Sequence, residues 1–207
     1  RWITEDGSSG FKAEAGRYHL YVSLACPWAH RTLVARILKG LQDIVSVSVA
    51  EPVMTQGWCF SDGLLDHLHG FRYLHQVYAA AVPDYTGRVL VPVLWDKRTR
   101  TIVSNESSEI LRMFNSAFGT LAKGDVDLYP APLREEIDRV NVYHAGLLAM
   151  RRAIEALPRR PQHVLVDART IPGVEVPQNT FNKGDGINFS IAAASIIAKT
   201  ERDRMME

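Results

Sequence analysis

The sequence is short of cysteine, with two in 207 residues, at positions 26 and 59. Two thiols in the first third of a chain cannot form the disulfide framework of a small secreted domain, so a reducing, cytoplasmic compartment is expected. Long apolar runs are missing too. No stretch of about 18 apolar residues occurs, so no transmembrane helix and no membrane partner are expected. Charge of one sign is not in excess. The chain has 24 basic and 23 acidic side chains, a net charge of +1, and front and back are balanced alike. Bulk electrostatics therefore offer no grip on nucleic acid, and such a contact would have to come from a specific site. Internal repeats and low-complexity tracts are absent. The opening "RWITEDGSSG" has no initiator methionine and no signal-peptide pattern, and the chain is expected to begin inside a longer reading frame.

What remains is an ordinary globular composition, 46% hydrophobic and 23% charged, with room for one large domain or two small ones. "GRYHLYVSLA" alternates, with Tyr18, Leu20, Val22 and Leu24 on one face and His19, Tyr21 and Ser23 on the other, which is a strand pattern. Leu33, Val34, Ile37, Leu38 and Leu41 then form an apolar stripe at helical spacing, with Arg31, Arg36 and Lys39 off it. "IVSVSVA" alternates again. Strand, helix and strand in this order favour a parallel pair. A Tyr/His/Leu-rich helix is expected near 64–82. "GRVLVPVLWD" reads as a strand interrupted by Pro92, which calls for an edge, a bulge or a cis bond. "DKRTRT" is a turn, "TIVSN" a short strand, and "ESSEILRMFNSAF" a helix with Ile110, Leu111 and Phe114 inward. The front part thus reads β-α-β-α-β-β-α.

Residues 122–135 are turn-rich and read as a linker. One long helix is expected from Arg134 to about Leu157, with Ile137, Val140, Leu147, Met150, Ile154 and Leu157 inward. "HVLVDA" is a short strand and 169–187 a loop. A last helix begins at an Asn188 or Ser190 cap.

Cys26 directly precedes Pro27 at the first strand-to-helix junction. Proline suits the first helical position because its missing N–H would have no partner there. Cys26 then stands at the N-cap, where free N–H groups and the positive end of the helix stabilise a thiolate, the nucleophilic form. Ala29 occupies the place where a dithiol protein has its second cysteine, so any disulfide made by Cys26 within this motif must be with a small thiol. The plain alternative is a small buried residue. Cys59 reads as a packing residue or an incidental thiol, and His30 as a surface residue in the first helical turn.

"GRYHLYVSLACPWAHRT", "QGWCF", "YTGRVLVPVLWD" and "SNESSEILRMFN" occur in an order that resembles the thioredoxin-like domain of the glutathionyl-hydroquinone reductases, the xi class of glutathione transferases. The resemblance covers roughly residues 1–135. It implies a glutathione-dependent reductase or transferase with a small quinol or thiol as substrate. Cys26 would be the catalytic thiol. Trp58 would pack on glutathione, and Val91, before a cis Pro92, would pair its backbone with the cysteinyl part. Glu106 and Ser107 would bind the γ-glutamyl end. Ser107 and nearby N–H groups begin a helix and suit a carboxylate, while Glu106 can accept from an ammonium group. Arg88 or Arg72 would meet a glutathione carboxylate. The xi class continues into a helical domain that completes the quinol site and supports a dimer. The sequence departs from that pattern at "PLREEIDRVN", so slow thiol transfer is expected rather than efficient quinol turnover, and the oligomeric state is left open.

From there, "EIDRVNVYHAGLLAMRRAIEALPRRPQHVLVDARTIPG" and "KGDGINFSIAAASIIAKTERDRMM" resemble the middle of a bacterial ribonuclease HII, over roughly 136–207. That resemblance implies an incomplete ribonuclease-H-like α/β segment. In the family four acids hold two divalent cations. Asp167 and Asp203 match two of them, and nothing in residues 1–135 matches the others. Weak binding of Mg2+ or Mn2+ at Asp167 and Asp203 and no hydrolysis of RNA–DNA hybrids are expected. The whole reads as a chimera: a thioredoxin-like domain at 1–121, a linker at 122–135 and a ribonuclease-like fragment at 136–207.

Overall fold

The computed structural model describes residues 1–54, 56–140 and 142–206, with the side chains of Arg139, Val142, Tyr143, Arg202, Asp203, Met205 and Met206 outside the description. The chain divides into two compact units, Arg1–Tyr129 and Pro130–Glu207.

The first unit opens on a short parallel pair, β1 (Ile3–Thr4) and β2 (Phe11–Lys12). Then come β3 (Tyr18–Ser23), α1 (Pro27–Leu38), β4 (Val45–Ala50), α2 (Leu74–Ala81), β5 (Val93–Asp96), β6 (Thr101–Ser104) and α3 (Ser107–Ser116). The four longer strands form one sheet in the order β4-β3-β5-β6. β3 and β4 run parallel, and β5 runs antiparallel to both β3 and β6. This is the thioredoxin-like β-α-β-α-β-β-α arrangement expected from the sequence.

Several details differ, each for a physical reason. Although residues on the two faces of β3 alternate in character, all six are buried, because a central strand is covered on both sides. On α1 the fully buried positions are Ala29, Thr32 and Ala35, while the apolar stripe Leu33, Val34, Ile37 and Leu38 is only half-buried. Small residues let a helix approach its neighbours closely, and larger ones then cover the flanks. The expected helix at 64–82 begins only at Leu74. Asp66 intervenes: its buried carboxylate accepts the backbone N–H groups of Leu68, His69 and Phe71 and the Tyr21 hydroxyl. A side chain that takes up three nearby backbone donors holds the chain in a loop. Pro92 lies just outside β5, preceded by a cis Val91–Pro92 bond.

A buried ion pair crosses the sheet's lower end. Arg17 donates through Nε and Nη2 to the two Asp96 carboxylate oxygens at 2.9 and 2.7 Å. Asp96 also accepts from Arg98 N and Thr99 Oγ1, which closes the β5–β6 turn. The core is built from Tyr18, Leu20, Tyr21, Leu74, Leu94, Trp95, Ile110, Met113, Phe114 and Phe118. Each such side chain contributes roughly 2 kcal/mol on burial. Residues 122–129 are held to this unit: Gly124 N donates to Lys39 O, Lys39 Nζ to Val126 O, and Leu128 N to Asn115 Oδ1. At Gly124 a side chain would collide with the Leu38 carbonyl.

The second unit contains α4 (Arg134–Arg139), α5 (Val142–Glu155), β7 (Val164–Asp167), β8 (Gln178–Phe181), α6 (Gly184–Ile187) and α7 (Phe189–Met206). The single helix expected over 134–157 is two, because Val140 turns extended (φ −98°, ψ 116°). Of the residues expected inward, Ile137, Met150 and Leu157 are exposed. The sheet of this unit is only a two-stranded parallel pair, β7 and β8. The loop expected at 169–187 contains β8 and α6. α7 is capped by Asn188, whose Oδ1 accepts from Ser190 N and Ile191 N. No helix among the described residues is long and apolar enough to cross a membrane.

Candidate functional site

β3 ends at Ser23 and α1 begins at Pro27, which leaves Cys26 at the N-cap with extended backbone (φ −97°, ψ 112°). Pro27 has no N–H to satisfy. No side chain caps this helix end, so its first-turn donors stay open to an anion. Cys26 is half-buried and packs on the core. Its Sγ donates to the Val91 carbonyl at 3.7 Å. The thiol is thus brought to the residue before Pro92.

A polar frame sets that loop against the start of α3. The Tyr78 hydroxyl, on α2, donates to Leu90 O at 2.8 Å and accepts from Leu90 N at 3.3 Å and Asn105 Nδ2 at 3.2 Å. Leu90 and Asn105 are the neighbours of Val91 and Glu106, so one hydroxyl ties the two backbone segments together. Ser104 Oγ then accepts from Glu106 N and donates to Glu109, bracing the first turn.

Glu106 is the N-cap of α3, and its exposed carboxylate accepts from Ser108 N at 3.3 Å. Ser107 is 3% exposed. Its hydroxyl accepts two donors from Arg31, Nε at 3.0 Å and Nη2 at 2.6 Å. Arg31 lies over the Trp28 ring at 5.0 Å and reaches Glu106 Oε1 at 4.0 Å. Burial pulls its guanidinium below the ordinary value, and Glu106 pulls the other way. Sequence reasoning left Arg31 as a residue merely off the apolar stripe. The available signal was its place in "CPWAHR", on the helix that the thiol begins.

Trp58 is half-buried against the core, and its carbonyl accepts Leu74 N at 2.9 Å, anchoring the start of α2. Arg88 is exposed, and its guanidinium has no hydrogen bond or ion pair among the described residues. Arg72 lies over the Tyr73 ring at 5.6 Å. Cys59 is half-buried, with its carbonyl accepting Glu51 N. His30 is half-buried.

In the second unit Asp167 ends β7, and its Oδ1 accepts Gly184 N at 2.7 Å. Asp203, the other expected metal ligand, lies outside the described residues. Among the described residues no three His, Cys, Asp or Glu side chains group as a metal site would require.

Residues 25–117 match the family model of the glutathione S-transferase N-terminal domain, and residues 113–207 match that of ribonuclease HII. The chain resembles two families in succession. Over 175 residues it is 49% identical to glutathionyl-hydroquinone reductase YqjG of Escherichia coli (strain K12), covering 74% of this chain and 53% of that protein. The glutathione-bound structure of the same E. coli protein superposes with a TM-score of 0.65 at 51% identity, covering 72% of this chain and 50% of that one. Over 72 residues the chain is 67% identical to ribonuclease HII of Myxococcus xanthus (strain DK1622), covering 35% of this chain and 25% of that protein. The chain therefore spans about half the length of the glutathione transferase relatives. The two curated shares together exceed the chain, so the glutathione transferase-like front and the ribonuclease-like back overlap in sequence, as do the two family models at 113–117.

Proposed function

We propose that the front unit is a glutathione-dependent thiol reductase or transferase of the glutathionyl-hydroquinone reductase type, with Cys26 as its nucleophile. The observation that carries this reading is the Cys26 thiol at the uncapped start of α1, with Sγ 3.7 Å from the Val91 carbonyl. The high identity to a glutathionyl-hydroquinone reductase across the front of the chain supports the same reading.

In this reading the Cys26 thiolate attacks the glutathione sulfur of a glutathionyl-hydroquinone. A Cys26–glutathione disulfide forms as the sulfur–carbon bond breaks. The electron pair of that bond goes to the ring carbon, which takes up a proton and leaves as the hydroquinone. The thiolate of a second glutathione then attacks the sulfur of the bound one, releasing oxidised glutathione and free Cys26. Trp58 packs on the tripeptide, the Val91 backbone pairs with its cysteinyl part, Glu106 accepts from its ammonium group, and Ser107 meets its γ-glutamyl carboxylate. Arg88 and Arg72 are exposed cations available to the glycine carboxylate. Residues 1–121 are taken as the thiol-bearing domain, 122–135 as a connector and 136–207 as the ribonuclease-like part. A reducing, cytoplasmic setting goes with this chemistry, because the thiol must stay free.

The test is a change in mass. After incubation with oxidised glutathione or a glutathionyl-quinol, the intact chain should gain one glutathione. Dithiothreitol should remove it, and Cys26→Ser should not acquire it. A wild-type chain that remains unmodified under both conditions would reject the reading.

A further inference from the structure

Arg31 has no acceptor atoms. Both of its contacts with Ser107, Nε at 3.0 Å and Nη2 at 2.6 Å, therefore make the serine hydroxyl an acceptor. The hydroxyl proton of Ser107 is left over, and no acceptor for it is found among the described residues. Ser107 is itself 3% exposed, so its side chain has little freedom to turn elsewhere. A buried hydroxyl that receives from a cation is polarised and becomes a better donor. The guanidinium is held from two further directions, by the Trp28 ring at 5.0 Å and by Glu106 at 4.0 Å.

We propose that Arg31 is a positioning residue for anion recognition: it presents the Ser107 hydroxyl as a committed donor to the γ-glutamyl carboxylate of glutathione. The inference rests on the glutathione reading above and deepens it. Arg31 acts through Ser107, and the ligand need not touch the guanidinium. It also links the two halves of the site, because Arg31 lies on the helix that begins at Cys26 while Ser107 begins α3. A lysine cannot replace it, since one ammonium lacks the paired donors that close on a single oxygen.

The test is calorimetric titration of the full chain with reduced glutathione and with γ-aminobutyryl-cysteinylglycine, which keeps the amine and lacks the γ-glutamyl carboxylate. The variants are Arg31→Met, Arg31→Lys, Ser107→Ala and the Arg31→Met/Ser107→Ala pair, each first checked for a cooperative melt. Arg31→Met should weaken glutathione binding about tenfold, the scale of one charge-assisted hydrogen bond. Arg31→Lys should recover little of that loss. The truncated ligand should bind the wild type and Arg31→Met alike. In the Ser107→Ala background Arg31→Met should cost almost nothing more. Equal losses for both ligands, or additive losses in the double variant, would overturn the inference while leaving the glutathione reading standing. A wild-type chain that binds neither ligand would overturn both.

Discussion

Acid should destabilise the front unit, and His19 is its most strongly shifted histidine. His19 lies in the middle of β3, is 1% exposed, and has Nδ1 2.7 Å from Ser46 Oγ and Nε2 2.9 Å from Ser48 Oγ. A neutral ring suits this pair, donating to one hydroxyl and accepting from the other. A protonated ring must donate to both, and Ser48 Oγ already accepts His67 N while Ser46 Oγ accepts Lys97 Nζ. Burial is the main force pushing His19 down from 6.5 to about 4, with Asp66 opposing it and Lys97, His69 and His67 adding to it. The unfolded chain takes up this proton near 6.5, whereas the folded chain resists until near 4. Between those values the unfolded state binds more protons, so stability falls as the pH falls and is unaffected by this group above the window. The gap corresponds to about 3 kcal/mol in full, with about 2 kcal/mol already lost near pH 5. That is a large part of the stability of a typical domain, about 5–15 kcal/mol. Urea unfolding followed by tryptophan fluorescence at about pH 7.5 and 5 measures the difference, since Trp95 pairs with His19 across β3 and β5. His19→Gln, which stays neutral, should lose about 2 kcal/mol less than the wild type between those conditions. Equal losses would refute the argument. Asp96 does not interfere, because it is held below its ordinary 3.8 and titrates beneath the window.

Asp96→Asn should cost about 3–5 kcal/mol, because it removes the buried counter-charge that Arg17 holds in two hydrogen bonds and leaves only Glu14 at 3.8 Å. By contrast, Arg98→Ala breaks an exposed pair with Glu14 and should cost less than about 1 kcal/mol; similar unfolding midpoints for the two variants would contradict this ranking. The full chain with magnesium or manganese should not hydrolyse an RNA–DNA hybrid, given that Asp167 spends one oxygen on Gly184 N. Cleavage that disappears in Asp167→Asn would count against that expectation.

The order of elements in the front unit was legible because each carries its own period. Tyr18 to Ser23 and Val45 to Ala50 alternate, and both are strands. Where reading failed, a side chain had competed with the backbone in a way that periodicity does not register. Asp66 occupies the donors that would have begun a helix ten residues early, and Val140 turns extended in the middle of an apolar helical pattern. β8 was hidden for another reason. Three of the four residues of "QNTF" are polar and its middle two are exposed, so its hydrophobicity does not distinguish it from a loop, and its pairing with β7 makes it a strand.

The candidate site was legible to the extent that its residues stand next to grammar. Cys26 precedes a helix-starting proline, and Glu106 and Ser107 begin another helix. Arg31 was not legible, since a cation inside an amphipathic helix normally faces water. Its role depends on α3 lying beside α1, which is a tertiary fact. This difference bears on which part of the chain the proposed chemistry needs. Cys26, Arg31, Trp58, Val91, Glu106 and Ser107 all lie within Arg1–Tyr129, and their hydrogen bonds close within that unit. Attack on a glutathione sulfur needs a thiolate, a place for the tripeptide and a donor for its carboxylate, and the reading proposed above draws all three from that unit. Metal-assisted hydrolysis needs several carboxylates converging on one point, and Pro130–Glu207 offers Asp167 alone among its described side chains matched to that role. The two likenesses are comparably specific in sequence, but the thiol chemistry proposed above calls on one helix start and its neighbours, whereas hydrolysis by two cations calls on four converging acids.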